Sequence, residues 1–178
     1  MSAGGFASVG ERDLYAWRSF RLVETAFTAP DGSHFTRTFL RHPGAVAVVP
    51  IDGDDVILVR QFRPALGALL LEIPAGTLDH PGESPSACAV RELAEEIGAR
   101  AEQLQPLTDY AVAPGISTEW LHLFVARGLT FTERAADGIE EREMTLERVP
   151  MTDAVTMCAD GRIRDAKTMV GLLLASVP

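Results

Sequence analysis

Cysteine is scarce in this chain. Cys88 and Cys158 are the only two in 178 residues, and neither has a metal-ligand partner nearby, so both read as reduced packing residues rather than ligands or a disulfide. The four histidines, His34, His42, His80 and His122, have no ligand spacing either. Long apolar runs are missing: the stretch 65–71 is among the longest, far short of the roughly 20 residues a membrane span needs. Clustered basic charge is also missing. Sixteen Lys and Arg are scattered against 25 Asp and Glu, for a net charge of −9, which argues against a nucleic-acid surface. An anionic substrate therefore has to approach through metal ions and a local arginine. No repeat or low-complexity tract occurs, and no signal peptide opens the sequence, so the expected location is cytoplasmic.

What remains is the composition of a soluble globular protein, 47% hydrophobic and 23% charged, with room for one domain, or one domain with a small appendage. Residues 1–12, rich in Gly, Ala and Ser, are expected to be disordered. In residues 13–41, two apolar runs flank Pro30-Asp31-Gly32, which predicts a β-hairpin. The main domain is expected over 42–178. There, Ala45 to Pro50 and Val56 to Gln61 read as a strand pair across Asp52-Gly53-Asp54, and Leu69 to Ile73 as a short buried strand. Leu107 to Val112, Trp120 to Ala126 and Thr145 to Val149 read as further strands. Arg134 to Glu143 reads as an acidic loop, and two helices follow over about 152–160 and 165–175. Strands interleaved with three helices predict an α/β (α+β) fold with a mixed sheet covered by helices.

The densest chemistry lies between Gly76 and Ala99. Ser84 suits an N-cap, Pro85 the first helical position and Gly98 the left-handed residue past the end. At about 100° per residue, Val90, Leu93, Ala94 and Ile97 form a packing stripe, with Arg91, Glu92, Glu95 and Glu96 on an opposite, solvated face. Glu92 and Glu96 are an i, i+4 pair with Glu95 between them, so three carboxylates repel one another unless a cation intervenes. Oxygen-only ligands favour a hard ion, Mg²⁺ or Mn²⁺, and such ions commonly bind phosphate oxygens as well. Arg91 is within reach of Glu95 or Glu83 and would orient a ligand carboxylate. The plain alternative is an amphipathic helix whose acids merely meet water; Gly76 and Glu83 upstream weigh against it.

Gly76, Glu83, Arg91, Glu92, Leu93, Glu95, Glu96 and Gly98 together resemble the Nudix box. There are two departures: six residues rather than five separate Gly76 from Glu83, and Ala99 fills the last aliphatic position. The first is expected to lengthen the loop before the helix, the second to weaken a packing contact. Val59-Arg60-Gln61-Phe62-Arg63, Glu72-Ile73-Pro74-Ala75-Gly76 and Ala113 to Glu119, with Pro114, resemble the ADP-ribose pyrophosphatase branch of that family.

The resemblance implies a Nudix-type α/β/α sandwich preceded by an N-terminal β-hairpin, and hydrolysis of ADP-ribose to AMP and ribose 5-phosphate. It implies Mg²⁺, with Mn²⁺ as the alternative, held by Glu92, Glu95, Glu96 and the Ala75 carbonyl, with Arg91 and Glu95 assisting catalysis. Arg63, Gln61, Glu72, Pro114, Gly115 and Ser117 are the substrate-binding candidates. The base is expected from the acidic loop, Glu141 first and Glu140 second. The branch also implies a homodimer that exchanges its N-terminal hairpin, so Trp17 and Phe20 are either core or part of the partner's site. Two other functions stay open: a diphosphatase for another nucleoside diphosphate sugar or dinucleotide, and a non-catalytic ADP-ribose sensor. The sensor is disfavoured because the three glutamates are all kept and no DNA-binding extension follows Pro178.

Overall fold

In the computed structural model, which describes residues 4–134 and 142–177, the chain builds two compact units, Met1–Gly44 with Tyr110–Trp120, and Ala45–Asp109 with Leu121–Pro178. The first unit is a three-stranded antiparallel sheet of β1 (Ala7–Trp17), β2 (Phe20–Thr28) and β3 (His34–Arg41), in that order. The hairpin across Pro30-Asp31-Gly32 forms as the sequence predicts: the Asp31 carboxylate accepts from Ser33 N at 2.9 Å and Ser33 Oγ at 2.7 Å, an Asx turn.

Of the stretch 1–12 expected to be disordered, residues 7–12 are ordered as part of a strand. β1 begins at Ala7 and pairs with β2 along its length, although every one of its residues is exposed. Main-chain ladder bonds order it, helped by cross-strand pairs such as Arg12 to Glu24 at 2.9 Å and Arg21 to Asp13 at 2.8 Å. Composition records side chains, and here the backbone does the ordering. The segment 110–120 joins this unit through Leu40 N to Ile116 O at 2.8 Å and Thr118 N to Leu40 O at 3.0 Å.

Among the described residues, the second unit is a mixed sheet with three named helices. Its strands are β4 (Ala45–Asp52), β5 (Asp55–Arg63), β6 (Ala68–Glu72), β7 (Ala75–Thr77), β8 (Ala99–Ala111), β9 (Trp120–Phe131) and β10 (Thr145–Pro150). Among the described residues it carries helices α1 (Pro85–Ile97), α2 (Met151–Asp160) and α3 (Ala166–Ala175). The order is β10-β5-β4-β9-β8, with β6 also on β5 and β7 also on β4. β4 runs parallel to β9 and antiparallel to β5 and β7. Helices cover β4 on both faces, which is why it reads as an unbroken apolar run. Val46 and Val48 join Ile57, Val59, Phe124 and Ala126 against Ala89, Leu93 and Ile97 of α1. Successive residues of a strand point to opposite faces, and Val49 meets α3: a Cβ on Gly171 would stand 2.9 Å from Val49 Cγ2 and 3.0 Å from Ile73 Cδ1. The result is the α/β/α layering implied by the family resemblance.

Two local expectations are corrected. β6 is buried only at its end, in Leu71 and Glu72, while Leu69 is exposed. The packed stripe of α1 also differs. Val90 is exposed, whereas Glu92 and Glu96 are buried at 6% and 3% exposure. The helix packs through Ala89, Leu93 and Ile97, and its rotation tucks the two glutamates toward β7 rather than into water. Cys88 and Cys158 are both buried and unpaired.

Candidate active site

The helix that carries the glutamates starts and stops where its sequence says. Ser84 Oγ accepts from Ala87 N at 3.2 Å, and Gly98 closes the helix at φ 63°. A side chain at Gly98 would also run into the Thr132 carbonyl at 2.5 Å. The extra residue between Gly76 and Glu83 is absorbed in a turn closed by Glu83 N to His80 O at 3.1 Å, leaving the helix intact. Ala99 is fully buried in the core beside α1.

β7 passes directly over the acidic face. A Cβ on Gly76 would lie 1.8 Å from Glu92 Oε1, so only glycine lets the strand come this close. One residue earlier, Ala75 N donates to Glu96 Oε2 at 3.0 Å. Burial, followed by the negative charge of Glu92, pushes the Glu96 carboxyl up to about 8. Arg91 ties the rest together. Its Nε and Nη2 donate to the two oxygens of Glu83 at 3.0 and 3.1 Å, and its Nη1 donates to Glu92 Oε1 at 2.7 Å and Glu95 Oε2 at 2.8 Å. Arg91 thus holds Glu83 and Glu95 together, and Glu92 as well. Glu83 is held below the ordinary carboxylate range by the Arg91 bonds.

This donor set suits a hard divalent cation. The acidic pair is buried and mutually repelling, all candidate ligands are oxygens, and the backbone of Ala75 lies against Glu96. Among the described residues, no three acidic, histidine or cysteine side chains already converge on one ion position. Arg91 holds Glu92 through Oε1 and Glu95 through Oε2, which fixes the direction in which both carboxylates face.

Beside the pair is a second charged group. Glu72 is completely buried at the end of β6. Arg63 grips it from β5, Nε to Oε1 at 2.8 Å and Nη2 to Oε2 at 2.6 Å, and Lys167 of α3 pairs with the same Oε2. Burial drives the Glu72 carboxyl up, but the Arg63 bonds and then the Lys167 charge outweigh it and hold the group below its ordinary value. Lys167 was missed from sequence. A lone lysine in a helical turn carries no signal until the topology sets it on Glu72. Gln61, two residues before Arg63 on β5, is buried at 9% exposure.

Pro114, Gly115 and Ser117 belong to the other unit, where Ser117 Oγ accepts from Glu119 N at 3.1 Å and a Cβ on Gly115 would meet nothing. In the same unit His42 Nδ1 accepts from Gly44 N at 3.0 Å, its Nε2 lies 3.8 Å from Glu119, and the Phe20 ring packs edge-on at 4.9 Å. Trp17 stacks on Phe20, their centroids 5.6 Å apart. Glu140 and Glu141 lie outside the described residues.

A mixed sheet between helices, with a capped acidic helix under a glycine strand, defines a Nudix hydrolase, and the chain belongs to that family: the NUDIX domain matches residues 41–170. The chain is 34% identical over 174 residues to the ADP-ribose pyrophosphatase of Mycobacterium tuberculosis, covering 97% of this chain and 84% of that one. It is 35% identical over 166 residues to the methanol dehydrogenase activator of Bacillus methanolicus, covering 93% and 89%. A crystal structure of an ADP compounds hydrolase superposes with a TM-score of 0.84 at 25% identity, covering 98% of this chain and 94% of that one.

Proposed function

We propose that this Nudix hydrolase cleaves the diphosphate bond of ADP-ribose, giving AMP and ribose 5-phosphate. The observation that carries the reading is the buried Glu92 and Glu96 pair under Gly76, in a chain similar nearly end to end to an ADP-ribose pyrophosphatase. Glu92, Glu95, Glu96 and the Ala75 carbonyl hold Mg²⁺, or Mn²⁺ in its place. When bound, the ion neutralises the diphosphate and makes water a better nucleophile at neutral pH.

The remaining roles fall to the chain itself. Arg91 orients Glu92 and Glu95 through the bonds described above. Arg63, with a planar cation suited to phosphate oxygens, turns from Glu72 to the substrate, and Gln61 supports that end of β5. Pro114, Gly115 and Ser117 are assigned as further substrate contacts, and Glu141, or Glu140 in its stead, takes the proton from the attacking water. The functional form is a homodimer, supported by the exposure of Leu14, Tyr15 and Trp17 on β1. A reducing, cytoplasmic setting suits the two unpaired cysteines.

A phosphate-release panel with Mg²⁺ or Mn²⁺, coupled to a phosphatase, tests the reading over ADP-ribose, ADP-glucose, GDP-mannose, NADH and diadenosine polyphosphates. A large preference for ADP-ribose, with AMP as product, is the expected result. Preference for another member moves the assignment to a different nucleoside diphosphate substrate, and binding without turnover moves it to a sensor.

A further inference from the structure

Glu72 presents a problem that the proposed cleavage does not by itself solve. Its side chain is 1% exposed and both its oxygens are taken, by Arg63 on one side and by Arg63 with Lys167 on the other. Arg63 is the more accessible cation, at 38% side-chain exposure against 13% for Lys167. If Arg63 turns outward to a diphosphate, it leaves a buried carboxylate behind. Such a charge is tolerated only while something still pairs with it, because stripping one partner from a buried ion pair is far more damaging than losing a surface contact.

Lys167 is built to stay. It also reaches Asp165 Oδ2 at 3.0 Å. The same Asp165 caps α3 by accepting from Thr168 N at 2.9 Å and from Thr168 Oγ1 at 2.6 Å. Thr168 Oγ1 in turn accepts from Ile73 N at 2.9 Å, the residue next to Glu72. Asp165, Lys167 and Thr168 therefore fasten the start of α3 to the end of β6. The close approach of Gly171 to Val49 and Ile73 keeps the helix on the sheet.

We propose that Lys167 is a positioning residue that keeps Glu72 charge-compensated when Arg63 leaves it for the substrate, so that Arg63 exchanges one anion for another. This rests on the ADP-ribose reading given above. The role predicts a pattern that ordinary bolting of the helix does not. Lysine at 167 matters only while residue 72 is charged.

The test is equilibrium binding of the uncleavable α,β-methylene analogue of ADP-ribose, with Mg²⁺ present, alongside turnover of ADP-ribose. Lys167→Met is expected to weaken analogue binding roughly tenfold or more, the scale of a charge-assisted contact, and to raise KM more than it lowers kcat. Lys167→Arg is expected to recover most of that loss, as is adding Glu72→Gln to Lys167→Met. Should Lys167→Met alone not fold, Glu72→Gln is compared with Glu72→Gln/Lys167→Met, and their affinities are expected to agree within about threefold. Wild-type affinity in Lys167→Met, or a double variant weaker than either single one, overturns the inference while leaving the proposed substrate in place. A wild-type protein that neither binds the analogue nor cleaves ADP-ribose overturns both.

Discussion

Gly76→Ala tests whether the position of Glu92 matters to turnover. A methyl group there would stand 1.8 Å from Glu92 Oε1, 1.9 Å from Cδ and 2.6 Å from Cγ, whereas ordinary contact begins at 3.4 Å. The carboxylate must therefore retreat by roughly 1.5 Å, more than the 1 Å misplacement that removes about a hundredfold from a preorganised site. The expected fall in kcat/KM is about a hundredfold, equivalent to roughly 2.7 kcal/mol of transition-state stabilisation. Because the group displaced is the end of a side chain, the fold survives with a loss of about 1–3 kcal/mol, the range for overpacking. The assay is the phosphate that a coupled phosphatase frees from AMP and ribose 5-phosphate, over a metal titration, with urea unfolding to confirm the fold. The half-saturating metal concentration is expected to rise as well. A folded Gly76→Ala protein within threefold of wild-type kcat/KM, at the same metal dependence, would refute a ligand role for Glu92.

Two more perturbations probe the surrounding structure. With no metal bound, burial and the Glu92 charge push the Glu96 carboxyl from an ordinary 4.5 up to about 8, so the folded chain is expected to hold a proton that the unfolded chain has already released between those values. Stability is then greatest at the acid end of that window and declines as pH rises, by at most about 1.4 kcal/mol per unit. Glu96→Gln is expected to flatten that decline and abolish turnover; equal slopes in urea midpoints from pH 5 to 8 for both proteins would contradict it. Thr168→Val leaves Ile73 N without its 2.9 Å acceptor in a buried position and is expected to lower unfolding free energy by about 1–3 kcal/mol, with Thr168→Ser losing far less. Equal urea midpoints for Thr168→Val and wild type would remove that bond from the stability of α3.

Much of the second unit was legible because its signals are local. Ser84, Pro85 and Gly98 marked both ends of α1, the Asp52-Gly53-Asp54 turn marked the β4 and β5 pair, and an apolar run marked β4. The burial of Glu92 and Glu96 was not legible. A helical projection places residues around an axis but does not say how the helix rolls on its sheet, and here packing through Ala89 turned the acids inward and left Val90 outside. Lys167 was hidden for another reason, since it pairs with a carboxylate 95 residues earlier in the chain. The order of β1 was missed because its stabilising bonds are in the backbone. Among the site candidates, Arg63, Glu72, Ala75, Arg91 and the three helix glutamates fall within one unit. Pro114, Gly115 and Ser117 come from the other, as their distance from the box in sequence allows.

The two thiols have a use unrelated to phosphate chemistry. Burial, with Glu92 adding its charge, pushes the Cys88 thiol up to about 12, and burial raises Cys158 too. Alkylating reagents attack the thiolate, so in the closed molecule both sulfurs are almost inert at neutral pH. Each is expected to react only when its own element opens, α1 for Cys88 and α2 for Cys158. Pulse alkylation read by mass spectrometry therefore times the breathing of two helices in one unlabelled chain, without an engineered probe.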